Sequence, residues 1–165
     1  MYVDGKYVPE RQRNVLVRST AGGRVLSAMQ LPLFAVLPPL GFGVITTTGR
    51  RTGKARRKCI RVIRDGNQAF IVSIPGAKAA WVMNIRANPD VRLRIRGGRF
   101  RGIGRELSGP AERQQAMATY CETVNLFDYA ECSIHRRGRP TRSKIMGLHR
   151  NWFEGGLPLV VELSV

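Results

Sequence analysis

Apolar positions change their spacing several times along this 165-residue chain, and each change marks an element. From Gly43 the run GVITTT is β-branched and uninterrupted, which suits a strand. GRRTGK then breaks it with two glycines and reads as a turn. KCIRVIR predicts a second strand, DGN a tight hairpin turn, and AFIVSI the returning strand. Ala79, Ala80, Met83 and Ile85 predict a short helix that stops before Pro89, because the proline ring disfavours helical geometry in the residue ahead of it. VRLRIR alternates, with Val91, Leu93 and Ile95 on one face and Arg92, Arg94 and Arg96 on the other. GG turns the chain, and RFRGIGREL pairs back as a second hairpin. PAERQQAMATYCE, residues 110–122, predicts a helix with Pro110 near its start. Residues 123–150 show no dominant period and mix aromatics with a second basic cluster. LPLVVEL predicts a last strand that must find an open sheet edge. Six mostly antiparallel strands with helices between hairpins make a mainly β, α+β chain. A small barrel or open roll fits this better than a parallel α/β sheet.

Ahead of the strands the pattern differs. Residues 1–20 are polar and basic, and predict a mobile arm or a helix folded over the body. Val25–Ile45 carries no charge and has the length of a bilayer span. Pro32, Pro38 and Pro39 interrupt it and Gln30 sits inside it, so a spanning helix is not expected. The pattern of a secretory signal is missing too. The stretch reads as a short helix over roughly residues 20–30 and an irregular apolar link, with a strand from near Phe42. Packing into the core is preferred over contact with a membrane interface. The expected organisation is an arm, helix and link over 1–40, then one barrel domain over 41–165.

Charge narrows the partners. Lys and Arg number 28 against 11 acids, a formal net charge of +17. Such a field draws nucleic acid, anionic lipid or an acidic ligand. Most of the excess is arginine, whose planar fork suits phosphate and carboxylate. Three cysteines without a CxxC, and two histidines, indicate neither a disulfide framework nor a metal site. Acids are scarce and no Ser-His-Asp set or carboxylate pair is visible, so any chemistry here rests on a cofactor.

The segment TTTGRRTGKARRK, residues 46–58, concentrates six cations and no acid. It is not a P-loop: Thr48 stands where the first glycine is required, and Ala55 where Ser or Thr must follow the lysine. Its glycines permit a tight turn on which Arg50, Arg51, Lys54 and Arg56 can converge around an anion. A plain solvated turn explains it equally well. SIPGAK, residues 73–78, is either an anion-binding helix entrance or a simple β–α turn. Asn84 lies near Trp81 at helical spacing, and a polar residue beside a buried aromatic normally has a specific partner. The arginines of the second hairpin have Phe100 alone among them, which fits a solvated sheet face better than a nucleic-acid platform. Tyr120, Phe127, Tyr129, Trp152 and Phe153 wall a pocket or fill the core.

The order TTxGRRTGKxRR, a DG hairpin, IVSIPGAKAAWVMNIRANPDVRL and a basic hairpin resembles the deazaflavin (coenzyme F420)-dependent nitroreductase and quinone reductase family. The resemblance runs from about Gly43 to Leu107 and more faintly through LPLVVEL. It implies a split β-barrel, a flavin-reductase-like roll, with coenzyme F420 (8-hydroxy-5-deazaflavin) in a groove. It implies that Arg50, Arg51, Thr52, Gly53, Lys54, Arg56 and Lys58 meet the acidic tail and phosphate of the cofactor. Ser73, Ile74, Pro75 and Gly76 would form the loop that approaches it, with Lys78 nearby, Trp81 and Asn84 packed beside it, and Arg86 reaching an anionic part. Ser73 is the candidate catalytic residue, steadying developing enolate charge. Tyr120, Phe127 and Tyr129 occupy the region of the substrate pocket. The implied activity is hydride transfer from the reduced deazaflavin to quinones, enones or similar electron-poor conjugated substrates, with nitro compounds a further class. The implied setting is a cytoplasmic mycobacterial or actinobacterial enzyme, monomer or homodimer, with peripheral membrane contact through residues 1–40 left open. The competing readings are a non-catalytic membrane-surface or fatty-acyl/lipid-binding barrel and, behind it, a basic nucleic-acid module.

Overall fold

The alternation at Val91, Leu93 and Ile95 becomes the inward face of a strand, and five more strands close with it into one antiparallel barrel. A computed structural model describes residues 2–3, 6–7 and 20–164. Two short strands, β1 (Tyr2–Val3) and β2 (Lys6–Tyr7), pair with each other. Most of the arm expected over 1–20 lies outside the described residues. The barrel strands are β3 (Phe42–Thr48), β4 (Ala55–Asp65), β5 (Gln68–Ser73), β6 (Asp90–Ile95), β7 (Gly98–Glu106) and β8 (Leu157–Ser164). Their order around the barrel is β3-β4-β5-β8-β7-β6, and β6 returns to β3.

Of the expected barrel or open roll, the barrel is what forms, and β8 closes it. That strand lies between β5 and β7, pairing Ile71 with Leu159 on one side and Gly104 with Val161 on the other. Two seams need glycine. A Cβ at Gly43 would run into the Arg94 carbonyl oxygen across β3–β6, and one at Gly102 into the Glu162 carbonyl oxygen across β7–β8.

Each strand face has its own cover. Inside the barrel, Ile45, Ala69, Ile71, Leu93, Leu159 and Val161 pack with Trp81, Val82 and Ile85 of α2 (Ala80–Ala87). Outside it, Phe70, Val72 and Val160 are covered by a helical layer made of α3 (Gly109–Glu122), α4 (Leu126–His135) and α5 (Arg142–Gly155). Strands β5 and β8 are thus buried on both faces, which is why AFIV and LVV run apolar without alternation.

Residues 123–150, unpatterned in the sequence, hold α4 and α5. Capping signals mark both starts. Asn125 N–H donates to Asp128 Oδ2 at 2.7 Å in a capping box, and the Lys144 N–H donates to Thr141 Oγ1 at 3.3 Å. The helix expected over roughly 20–30 is also longer: α1 runs Thr20–Val36 with Pro32 inside it. Pro32 is exposed, so the Ala28 carbonyl that its ring leaves unbonded faces outward. Phe34, on the inner side, is 1% exposed against Phe42 and Val44, and this burial, worth about 1.5–3 kcal/mol, holds the helix to the barrel. The outer side of α1 is not packed into the core, contrary to the expectation for this apolar stretch. Among the described residues no helix is long and apolar enough to cross a membrane.

A buried polar network joins the barrel to the helical layer. Arg61 of β4 donates to Asp128 Oδ1 (3.0 Å), to the Tyr120 carbonyl (2.8 Å) and to the Thr123 carbonyl (2.7 Å), and its guanidinium lies 4.4 Å from the Tyr120 ring centroid. His149 Nε2 sits 3.3 Å from Asp128 Oδ1. Burial pushes the Asp128 carboxyl up, but the His149 hydrogen bond and the Arg61 charge outweigh it and hold it below the usual carboxylate range. Burial also pushes His149 below its ordinary value, against the raising effect of Asp128. Folding therefore makes the imidazole harder to protonate than in the unfolded chain. Unfolded, it binds a proton near pH 6.5, so stability must fall as pH drops through that range, and fall again near pH 4 as Asp128 must be protonated. We expect the thermal midpoint to decline between pH 7 and 5, and the decline to flatten in His149→Gln, as followed by circular dichroism. An equally steep decline in the variant would assign the loss elsewhere.

Candidate functional site

A cavity of about 850 Å³ opens where the β3–β4 turn, the segment after β5, α2 and the helical layer meet. The turn is self-supporting. Gly49 N–H donates to the Lys54 carbonyl at 2.8 Å, and the Thr52 and Gly53 N–H groups converge on the Gly49 carbonyl at 3.2 and 2.7 Å. Gly53 holds φ +64°, where a side chain would be strained.

Asn84 anchors this turn to α2. Its Oδ1 accepts the Arg50 backbone N–H at 3.2 Å and the Arg50 Nη1 at 3.3 Å, while its Nδ2 donates to Thr47 Oγ1 at 3.1 Å. The specific partner expected for a polar residue beside Trp81 is therefore the cationic turn itself.

The segment after β5 is equally fixed. Ser73 is 1% exposed, and its hydroxyl donates to the Gly76 carbonyl at 2.9 Å. Gly76 takes φ +74°, and the 3-10 turn Gly76–Lys78 leads into α2.

These elements bring most of the residues singled out in the sequence to one wall. Arg50, Arg51, Thr52, Arg56 and Lys58 line it from the turn and β4, and Ser73, Ile74, Pro75 and Lys78 from the loop. Trp81 and Asn84 line it from α2, and Tyr120 from α3. Gly53, Lys54 and Gly76 belong to the same turns without lining the cavity. Arg86 points elsewhere, paired with Glu106 at 2.6 Å on the surface. Phe127 stands behind the wall, its ring 4.8 Å from Phe42 and 5.6 Å from Phe34, and Tyr129 is 37% exposed and does not line it.

Other wall residues were not singled out by the sequence. Arg57 and Arg61 add cations from β4, and Gln30 and Phe34 come from α1, ahead of the expected boundary at residue 40. Glu131 and His135 face the cavity from α4, with His135 Nε2 3.3 Å from Glu131 Oε2, and Gln30 Nε2 donates to Glu131 Oε1 at 3.4 Å. Their spacing of four was available as a signal, but it has meaning only on a helix. Trp152, which the sequence did offer as a pocket or core aromatic, completes this end, and its Nε1 has no hydrogen-bond acceptor among the described residues.

The cavity is thus cationic at the turn, with aromatic surface, Arg61 and the Glu131–His135 pair deeper in. Burial drives the Tyr120 phenol up to about 12 despite Arg61, so it stays protonated. Burial likewise raises Cys121 to about 12, which leaves that thiol inert. Among the described residues no group of three or more His, Cys, Asp or Glu could hold a metal ion. The arrangement can hold an elongated acid with an aromatic head. Asn84→Ala is expected to lower the unfolding free energy by about 1–3 kcal/mol in urea titration and to speed amide exchange over residues 49–54. Unchanged exchange there would mean that the turn holds itself without α2.

Residues 12–134 match the family model described as F420H(2)-dependent quinone reductase. Two F420H(2)-dependent quinone reductases of Mycobacterium tuberculosis, from strains H37Rv and CDC 1551, are each 33% identical over 60 residues. That alignment takes in 34% of this chain and 40% of each relative, so the chain spans well under half the length of the curated relatives it matches. A solved structure described as a domain-swapped dimer covers 84% of this chain and 92% of its own, with a TM-score of 0.51 and 23% identity. That likeness concerns the fold.

Proposed function

The chain belongs to the F420H(2)-dependent quinone reductase family, and we propose on that footing that it binds reduced coenzyme F420 in this cavity and reduces quinones there. The observation that carries the reading is the gradient along one wall. Arg50, Arg51, Arg56, Arg57, Lys58 and Lys78 gather at one end, continuous with Trp81, Ala79 and Ile60. A cofactor with a phosphodiester, a carboxylate and an oligoglutamate tail on a flat ring system needs both ends of that gradient. The donor set therefore fits the group.

When bound, the coenzyme supplies a hydride, a two-electron donor. The protein's part is placement. Asn84 fixes the turn, so Arg50 and its neighbours meet an acidic tail at a preset position rather than being ordered by it. The Ser73 hydroxyl proton is given to Gly76, so in this reading Ser73 shapes the loop that flanks the ring, and its charge-steadying role passes to backbone N–H groups of the same loop. Phe34, Tyr120 and Trp152 keep water from the deep end, where a flat acceptor can lie against the ring. Glu131 and His135 are the acid–base couple in that wall and the source of the proton that completes a quinol. Enones and nitro compounds share the electron-poor conjugated face of a quinone and fall within the same reading.

Titration with oxidised coenzyme F420, followed by tryptophan fluorescence beside flavin mononucleotide as control, tests it. Arg51→Ala and Arg56→Ala are each expected to weaken binding roughly 5- to 20-fold, the loss of one charge-assisted contact, and Lys54→Ala to weaken it less. No deazaflavin binding at moderate salt would overturn the reading in favour of a non-catalytic barrel.

A further inference from the structure

We propose that the indole N–H of Trp152 is the donor that selects the acceptor, holding a neutral carbonyl oxygen at the deep end of the cavity. What is then done to that carbonyl rests on the redox reading, whereas the binding of it does not.

Trp152, in α5, is 3% exposed and lines the cavity, yet its Nε1 has no acceptor. Among the described residues it is the only buried side-chain nitrogen or oxygen left without a partner. Indole Nε1–H can only donate. A buried donor left dry costs stability, and one in the wall of a cavity can be satisfied by what enters it. The indole is also held in place. Its ring lies 5.4 Å from that of His135 at an interplanar angle of 85°, and 5.7 Å from that of His149 at 36°. His149 is itself fixed by Asp128 Oδ1 at 3.3 Å. The donor therefore stands at a preset position before any ligand arrives.

The surroundings define the group it takes. Gln30 Nε2 donates to Glu131 Oε1, and His135 Nε2 lies 3.3 Å from Glu131 Oε2, so both oxygens of that carboxylate are already engaged within the wall. Arg61 is committed to Asp128 and to the Tyr120 and Thr123 carbonyls. A second carboxylate placed beside Glu131 would meet like charge. An aliphatic chain would leave the indole donor unpaired. A carbonyl oxygen avoids both costs. Among electron-poor conjugated acceptors, the carbonyl oxygen of a quinone or enone accepts a hydrogen bond strongly and a nitro oxygen weakly. Trp152 therefore favours quinones and enones over nitro compounds.

Reduction strengthens the contact. A quinone becomes a quinol by taking up one hydride, which brings both electrons, and one proton. The electron pair of a carbonyl π bond moves onto its oxygen, which carries the negative charge until that proton arrives. A fixed donor aimed at this oxygen binds it more tightly as the charge develops. Trp152 keeps its own proton, and the Glu131–His135 pair beside it delivers the one that completes the quinol.

Nuclear magnetic resonance of the full chain tests the proposal. Two tryptophans give two indole N–H signals, assigned with Trp81→Phe. The probe is 2,3-dimethyl-1,4-naphthoquinone, whose methyl groups block addition of a thiol such as Cys59, which also lines the cavity. It is titrated with and without oxidised coenzyme F420, which has no hydride to give. The Trp152 indole proton is expected to move downfield as the quinone binds. 2,3-Dimethylnaphthalene, the same ring system without oxygens, should cause no downfield shift and bind about 5- to 30-fold more weakly. Trp152→Phe should erase most of that preference. The wild-type comparison needs no variant, so it decides the matter even where Trp152→Phe does not fold. A Trp152 signal that stays in place while the quinone binds would overturn the proposal, as would equal binding of the two ring systems or no quinone binding in either condition. Coenzyme binding with an unmoved Trp152 signal defeats this proposal alone. A shifted Trp152 signal without coenzyme binding defeats the redox reading alone.

Discussion

The contact on which the rest of the molecule depends is the buried guanidinium of Arg61. Its three hydrogen bonds reach one side chain and two backbone carbonyls, all in or beside α3 and α4. The two carbonyls, of Tyr120 and Thr123, lie where α3 ends and need donors from outside the helix. One barrel side chain thus terminates α3, pairs with the capping residue of α4 and stacks on an aromatic ring. A charge this deep is costly to bury, and truncating it would cost about 3–5 kcal/mol, because Asp128 would lose its partner.

That placement decides where the cavity lies. Arg61 stands near the middle of β4, and the same strand begins beside the cationic turn. The helical layer is held over one part of the strand and left off the other, so the space between them stays open toward the turn. Asn84 does the same from the opposite side, tying α2 to that turn. The cavity is the gap between two clamps, and both clamps are polar groups whose hydrogen bonds specify a position more narrowly than apolar packing does.

The two clamps also explain what the sequence disclosed. Local rules sufficed for the hairpins, because turn glycines and alternation act over a few residues, as at Gly66 and in VRLRIR. The cationic wall was legible for the same reason: its members sit in two short segments that stay together. The deep end was legible only in its aromatics, Tyr120 and Trp152, because Gln30, Glu131 and His135 come from two further helices and meet them only after the chain has folded. α4 and α5 were missed despite their caps, Asn125 with Asp128 and Thr141, since the faces they bury are short and mixed with charge. Arg61 was one more cation in KCIRVIR. Nothing local distinguishes it from Arg57, which is exposed on the same strand. The extent of α1 went unread for the opposite reason, because a proline penalty of about 3 kcal/mol ordinarily ends a helix. Here Pro32 faces outward and Phe34 anchors the turn that follows.

The position of β8 sets an order on how the protein can be made. It is the last of the barrel strands to leave the ribosome, yet it sits between β5 and β7. Until it arrives, both neighbours present unpaired edges, and the sheet can form only as an incomplete sheet ending at β5 and β7. Such edges invite pairing with other nascent chains. Arg99, Arg101 and Arg105 lie along one of them, and their mutual repulsion would keep a waiting chain from joining a second one. The charge that a folded protein can use to meet an acid would thus already have served the unfinished chain as protection against aggregation.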